Sequence, residues 1–232
     1  MKNILVYLSL IFVLSCAQEP NYDLSILDVK RIDIETAQIE NVDIYINQDR
    51  IVLIQNADSK DLAAKETVDA KGAYAIPGLW DNHIHFRGGE SLLKDNEMFL
   101  ERLIDYGITS VRDAGGDLTS SVKKWQLEVS KNERIGPTIF TSGPKIDGKN
   151  PTWQGSLEVE SEDELDQALD SLEQLEVDFI KLYDSKLNGN LFLSALKKST
   201  ARGFKSSGHM PFSVSLNQAL DAGMNGVEHL YY

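Results

Sequence analysis

"PGLWDNHIHF", residues 77–86, decides how this chain is read. The chain has four histidines, and here two of them stand one residue apart behind a Pro-Gly pair and an aspartate. Side chains alternate along a strand, so Asp81, His83 and His85 share one face. Two imidazoles on one strand face can grip a single cation. The same pattern fits a strand with two hydrogen-bonded histidines, so H-x-H alone leaves both readings open.

The flanking sequence gives the fold class. Residues 24–72 read as short strands. "VDIYINQDRIVLIQ" (42–55) alternates through Val42, Ile44 and Ile46, turns at Asn47-Gln48-Asp49 and resumes at Ile51 and Leu53, which predicts a hairpin. "IDIETAQI" (32–39) reads as a further strand. This is a small β module, sandwich-like, with no visible chemistry.

Residues 73–232 instead alternate strands with helices. "SLLKDNEMFLERLIDYG" (91–107) places Leu92, Phe99, Leu100, Leu103 and Ile104 on one helical face. "SEDELDQALDSLEQL" (161–175) opens with Ser161 and Glu164 as a capping box. Leu165, Ala168, Leu169, Leu172 and Leu175 follow as its apolar stripe. Strands are expected within "AYAIPGLW" (73–80), "ITSVRDA" (108–114), "PTIFTSG" (137–143), "DFIKLYD" (178–184), "FKSSGH" (204–209) and "NGVEHL" (225–230). Such alternation predicts a parallel sheet, open or closed into a barrel.

A weak repeat sharpens this. "DYGITSVRD" (105–113), "RGFKSSGH" (202–209) and "DAGMNGVEH" (221–229) each carry a Gly that ends a helix, then a strand, then Asp113, His209 or His229 six residues after the Gly. The unit delivers a polar side chain to a strand's C-terminal end. Active sites gather there in a (β/α)8 barrel, and ligands do so in an open doubly wound sheet. All four histidines thus fall at one rim, and imidazole is a favoured zinc ligand. Lys181, within the mostly apolar "VDFIKLYD", is also on a strand. It either reaches the rim or pairs with a carboxylate, or else burial lowers its pKa until the neutral amine reacts with carbon dioxide.

A formal net charge of −13 argues against a nucleic-acid partner, which needs clustered Lys and Arg. The start, "MKNILVYLSLIFVLSC", has Lys2, a short apolar run and Ser15 before Cys16, the pattern of an export signal. Cys16 is the single cysteine, so no intrachain disulfide is possible. "VLSC" resembles a bacterial lipobox, which implies a lipidated Cys16, a signal over 1–16, a tether over 17–23 and anchoring at the outer membrane or periplasm. The alternative is an ordinary signal peptide with an incidental cysteine.

"AYAIPGLWDNHIHF", preceded by "DRIVLI" and "VDAKGAYAIPG", resembles the signature of the amidohydrolase superfamily. "GITSVRDAGG" is similar to the second barrel strand of its imidazolonepropionase-like and Xaa-Pro dipeptidase-like members. "DFIKLY", "GHM" and "GVEHL" resemble the strands bearing the bridging lysine and the next two histidine ligands. The resemblance covers about residues 26–232. It implies a TIM-type (β/α)8 barrel with two divalent metals, zinc by default. His83 and His85 would hold the buried ion and His209 and His229 the exposed one, with Lys181 bridging as its carbamate. Asp81 would orient a ligand or cap the turn. A hydroxide made at the metals would attack the amide of a dipeptide such as Xaa-Pro or of an N-acyl amino acid. Lys145 and Trp153, in the loop "GPKIDGKNPTWQG", and Tyr183 and Tyr231 are candidate substrate contacts.

The family's general acid–base is an aspartate on the eighth strand. Six strands are counted here, and a barrel takes about 250 residues. The expectation is an N-terminal portion truncated after about six strands, inert alone, with that aspartate beyond Tyr232. Alternatives are a mononuclear lactam hydrolase or deaminase, and a non-catalytic binding or scaffold lipoprotein.

Overall fold

The computed structural model describes residues 21–229. Cys16 and Tyr231 lie outside the described residues, as do the signal and most of the tether. The chain divides into two compact units, with the boundary between Pro77 and Gly78.

The first unit is one five-stranded sheet. Its strands are β1 (Tyr22–Ile32), β2 (Ile39–Asn47), β3 (Arg50–Asn56), β4 (Ala64–Asp69) and β5 (Tyr74–Ala75). They run in the order β3-β2-β1-β4, and β5 pairs with β1. The expected hairpin is β2–β3. It closes at the Asn47↔Arg50 pair, with Gln48 at φ 55° in the turn. "IDIETAQI" is not a strand. Asp33 Oδ1 accepts the backbone N–H of Glu35 and Thr36 at 3.1 and 2.9 Å, and this local turn outcompetes the alternating pattern. Val29, Val42 and Ile44 form a small core.

The second unit contains the expected strand–helix alternation. β6 (Leu79–Ile84), β7 (Ile108–Asp113) and β8 (Thr138–Thr141) pair in parallel. A second parallel set follows: β9 (Ile146–Asp147), β10 (Leu157–Glu158), β11 (Ile180–Leu182), β12 (Ser206–Gly208) and β13 (Gly226–Val227), in the order β10-β9-β11-β12-β13. The Asp178 N–H donates to Thr141 O at 2.9 Å and carries the wall from β8 toward β11. β6, β7, β8, β11, β12 and β13 are the six strands read from the sequence. They form the α/β wall of a TIM-type barrel.

Helices α1 (Leu93–Asp105), α2 (Thr119–Ser130), α3 (Glu162–Gln174), α4 (Gly189–Ala201) and α5 (Leu216–Asp221) alternate with these strands. The Ser161–Glu164 capping box of α3 is formed, and Leu165, Ala168, Leu169 and Leu172 are buried under it. Each such buried leucine contributes about 1.5–3 kcal/mol relative to exposure. Leu175, the C-cap, is 37% exposed. On α1 only Leu100 and Leu103 of the predicted face are buried; Leu92 and Phe99 are both 46% exposed.

The three repeat glycines behave as their spacing predicts. Gly107, Gly203 and Gly223 follow α1, α4 and α5 with φ of 76°, 84° and 103°. A left-handed turn there aims the next strand back into the sheet. Among the described residues no helix is long and apolar enough to cross a membrane.

Candidate active site

The C-terminal strand ends bring all four histidines together. His83 is the penultimate residue of β6 and His85 follows the strand. Their Nε2 atoms lie 3.0 Å apart. His229, at φ 66° just after β13, stacks on His83 with ring centroids 4.5 Å apart. His209, just after β12, stands 5.1 Å from His229, centroid to centroid, and 4.4 Å from the Tyr183 ring. Lys181, central in β11, is 0% exposed.

Glu228 organises this cluster, and the sequence reading assigned it no role. It is 6% exposed. One carboxylate oxygen lies 2.6 Å from His83 Nδ1, and the other 3.5 Å from Lys181 Nζ. Arg112, on β7, donates a hydrogen bond to that second oxygen and gives its Nε–H to Asn82 O at 2.9 Å. Burial works to raise the Glu228 pKa. The His83 hydrogen bond and the charges of Lys181 and Arg112 overcome this and hold the group well below the usual carboxylate range. Lys181 was expected to need either a carboxylate partner or a depressed pKa, and both are found. Among the described residues its Nζ makes no hydrogen bond. Burial foremost, partly offset by Glu228, lowers it to about 8.

The two imidazoles of the H-x-H pair have fixed tautomers. An ionised carboxylate and a backbone carbonyl can only accept. His83 therefore donates Nδ1–H to Glu228, and His85 donates Nδ1–H to Gly115 O at 2.6 Å. Gly115 sits at φ 89°, a conformation that costs other residues strain but presents this carbonyl. With Nδ1 of each ring given to an acceptor, the two Nε2 atoms face each other across 3.0 Å and are the nitrogens left to ligate. Burial lowers the His85 pKa to about 4, with Lys145 and His83 adding to the effect. A divalent cation suits the pair. Two nitrogens at zinc-ligand distance of a tetrahedral ion stand about 3.3 Å apart, and Nδ1–H bonded to a carboxylate or carbonyl is the usual support of a metal-binding histidine.

The remaining donors are near but not closed around an ion. Among the described residues no group of three or more His, Cys, Asp or Glu side chains is arranged to hold one. As an ammonium, Lys181 places a positive charge where a carbamate would place a negative one. The centre is therefore drawn around Glu228. His209 is held neutral, its pKa lowered to about 3 by burial and then by the charge of Lys181.

Other predicted residues take defined places. Asp81 Oδ1 accepts the His83 backbone N–H at 3.1 Å, so it braces the strand end rather than the ring. Asp113 is 2% exposed and accepts from Thr141 Oγ1 at 2.7 Å and from Phe86 N at 3.2 Å; burial raises it to about 6. Lys145, 5% exposed, lies with Nζ 5.3 Å from the Trp153 ring centroid and 5.5 Å from that of Tyr183.

This parallel wall, with its polar rim, matches solved structures. A Xaa-Pro dipeptidase with bound methionine superposes with a TM-score of 0.73 at 18% identity, over 88% of this chain and 60% of that one. A prolidase complexed with N-methylphosphonate-L-proline gives 0.70 at 17%, with the same coverage. The fold is that of the amidohydrolase superfamily. Curated relatives that the sequence resembles include adenine deaminases. That of Leuconostoc citreum is 36% identical over 86 residues, 37% of this chain and 15% of its own length. That of Desulforamulus reducens is 26% identical over 208 residues, 88% of this chain and 33% of its own length. No protein-family model matches the sequence. The chain spans at most a third of either deaminase and about 60% of either amidohydrolase-fold structure. Members of the superfamily generally use divalent metals.

Proposed function

We propose that this chain belongs to a metal-dependent hydrolase that cleaves the amide bond of a dipeptide such as Xaa-Pro or of an N-acyl amino acid. The observation that carries this is the facing Nε2 pair of His83 and His85, each imidazole fixed by an acceptor at Nδ1. His83 and His85 would hold one ion and His209 and His229 a second, with zinc the default. Lys181 would bridge them as its carbamate, formed with carbon dioxide. Bound ions would polarise the scissile carbonyl and lower the pKa of water. Glu228 would keep His83 in the ligating tautomer, and Arg112 would hold Glu228 in place. We further infer export and anchoring through lipidated Cys16, supported by Lys2, the apolar run and the Ser15–Cys16 junction.

A deaminase is the second reading, favoured by the 208-residue similarity to an adenine deaminase. One experiment separates the two. The complete protein to which this chain belongs is loaded with zinc, manganese or cobalt and assayed in parallel on Xaa-Pro dipeptides, N-acyl amino acids and adenine. Free amino acid release supports the first reading. Ammonia release from adenine alone replaces it with the second. Metal binding with neither product rejects both.

A further inference from the structure

We infer that Lys145, with Arg87 and Trp153, forms a carboxylate-recognising subsite, so that the substrate carries a free carboxylate beside its scissile amide. This rests on the hydrolase reading and names the specificity of the same site. All three residues leave the C-terminal ends of strands: Arg87 after β6, Lys145 between β8 and β9, and Trp153 in the loop between β9 and β10. They line a cavity of about 250 Å³ with Gly88, Gly116 and Asp117.

Two cations share one indole there. The Arg87 guanidinium lies 4.7 Å from the Trp153 ring centroid and Lys145 Nζ lies 5.3 Å from it. Like charges gathered this way repel, and Arg87 is second only to burial among the causes that lower the Lys145 pKa. The charges of Asp113, Asp147 and Asp117 partly offset this, yet the hydrogen bonds each accepts come from other groups. Asp113 accepts from Thr141 and Phe86, Asp147 from the Lys186 and Leu187 backbone, and Asp117 from the Gly88 backbone. Among the described residues Lys145 makes cation–π contacts in place of an ion pair. A lysine 95% buried as a residue, with no salt-bridge partner among the described residues, suits an arriving anion. Lys145 also faces the reacting centre. Its Nζ lies 5.5 Å from the ring of Tyr183, which packs on His209, and its charge is felt at His85 and Lys181. A substrate amide at the histidines therefore puts an adjacent carboxylate within reach of Lys145, with its side chain against Trp153. Adenine has no such group.

The test uses the complete protein, metal-loaded, and matched probes: a panel of Xaa-Pro dipeptides and N-acetyl amino acids, each beside its C-terminal carboxamide. Binding is read by calorimetry and turnover by amino acid release. The wild type is expected to bind at least one acid tenfold or more tighter than its carboxamide. Lys145→Met should erase that preference by weakening the acid alone, raising KM with little change in kcat, and Lys145→Arg should restore part of it. The arginine variant keeps the test valid if the methionine variant folds poorly. Equal binding of acid and carboxamide by the wild type, no binding of either, or an unchanged preference in Lys145→Met overturns the proposal. Hydrolysis without carboxylate preference would leave the hydrolase standing and remove this subsite. Selective carboxylate binding without hydrolysis would do the reverse.

Discussion

The β module and the strand–helix unit treat charge in opposite ways. In the module the displaced titrating groups, Asp23, Asp33 and Lys65, lie at the surface and owe their shifts chiefly to hydrogen bonds there. Its buried polar side chains make local hydrogen bonds: Ser25 Oγ bonds Thr67 Oγ1 at 2.9 Å, and Asp43 Oδ1 accepts from Asp28 N at 3.1 Å, while Asp43 Oδ2 has no partner among the described residues. In the second unit, burial is the leading cause of displacement at His85, Asp113, Lys145, Lys181, Asp184 and His209. All sit at or near strand ends. Folding alone gains nothing from burying two lysines and a glutamate, since desolvating charge is costly. Groups held in unfavourable protonation states and gathered at one rim are the mark of a working site.

Replacing Lys181 would break the contrast most sharply. Lys181→Met removes the bridging amine while keeping its volume. Amide hydrolysis should fall on the order of 10²–10³-fold, the scale of losing one electrostatic element of a site. Metal content, measured by elemental analysis, should drop below that of the wild type. A deaminase with one ion held by histidines would lose far less, so retained activity on adenine with unchanged metal content would favour that reading.

Glu228→Gln should have the largest effect on stability. The variant leaves Arg112 and Lys181 with no carboxylate at their centre, and removing one partner of a buried ion pair costs about 3–5 kcal/mol. Urea unfolding would measure this. A loss under about 1 kcal/mol would mean that Glu228 is not the hub its contacts with His83, Arg112 and Lys181 imply.

Asp113 gives a smaller, pH-dependent effect. Its folded value of about 6 lies above the ordinary 3.8. Between those values the folded state holds a proton that the unfolded chain has lost. Its contribution is therefore greatest at low pH and declines as pH rises through 6. The buried histidines act in the opposite sense. Their folded values lie below 6.5, so they cost stability as pH falls from 6.5 toward about 4. Subtracting wild type from Asp113→Asn at each pH cancels the histidines. The variant should gain about 1 kcal/mol relative to wild type between pH 5 and 7.5, read from paired urea titrations. A flat difference would place the Asp113 pKa near its ordinary value.

Local signals were legible in the sequence and distant pairings were not. The capping box at Ser161 and the cap glycines Gly107, Gly203 and Gly223 are decided within a few residues, so spacing alone found them. The histidines were found because a strand-end position repeats. "IDIETAQI" misled because alternation was weighed without the Asp33 side chain, which caps its own turn. Leu92 and Phe99 fit a helical face by period, yet burial depends on what the fold sets opposite them. Glu228 and Arg112 were missed for the same reason. Glu228 pairs with His83 across 145 residues and with Arg112 across 116. The available signal was the rule that a buried Lys181 requires a carboxylate, and Glu228 stands beside His229 at the neighbouring rim.

The smallest effect tests the other side of the comparison. Lys65 Nζ lies 2.7 Å from Asp23 Oδ1, a shorter distance than Lys181 to Glu228. Geometry alone would rank the surface pair higher. Yet the Lys65 side chain is 64% exposed, and water and salt screen such pairs until little of their Coulomb energy remains. Lys65→Met should therefore leave the urea midpoint unchanged within error at 0.15 M salt, and hydrolysis unaltered. A clear loss of stability in this variant, set against a mild one in Glu228→Gln, would invert the ranking. It would mean that distance, and not burial, decides which charges in this chain matter.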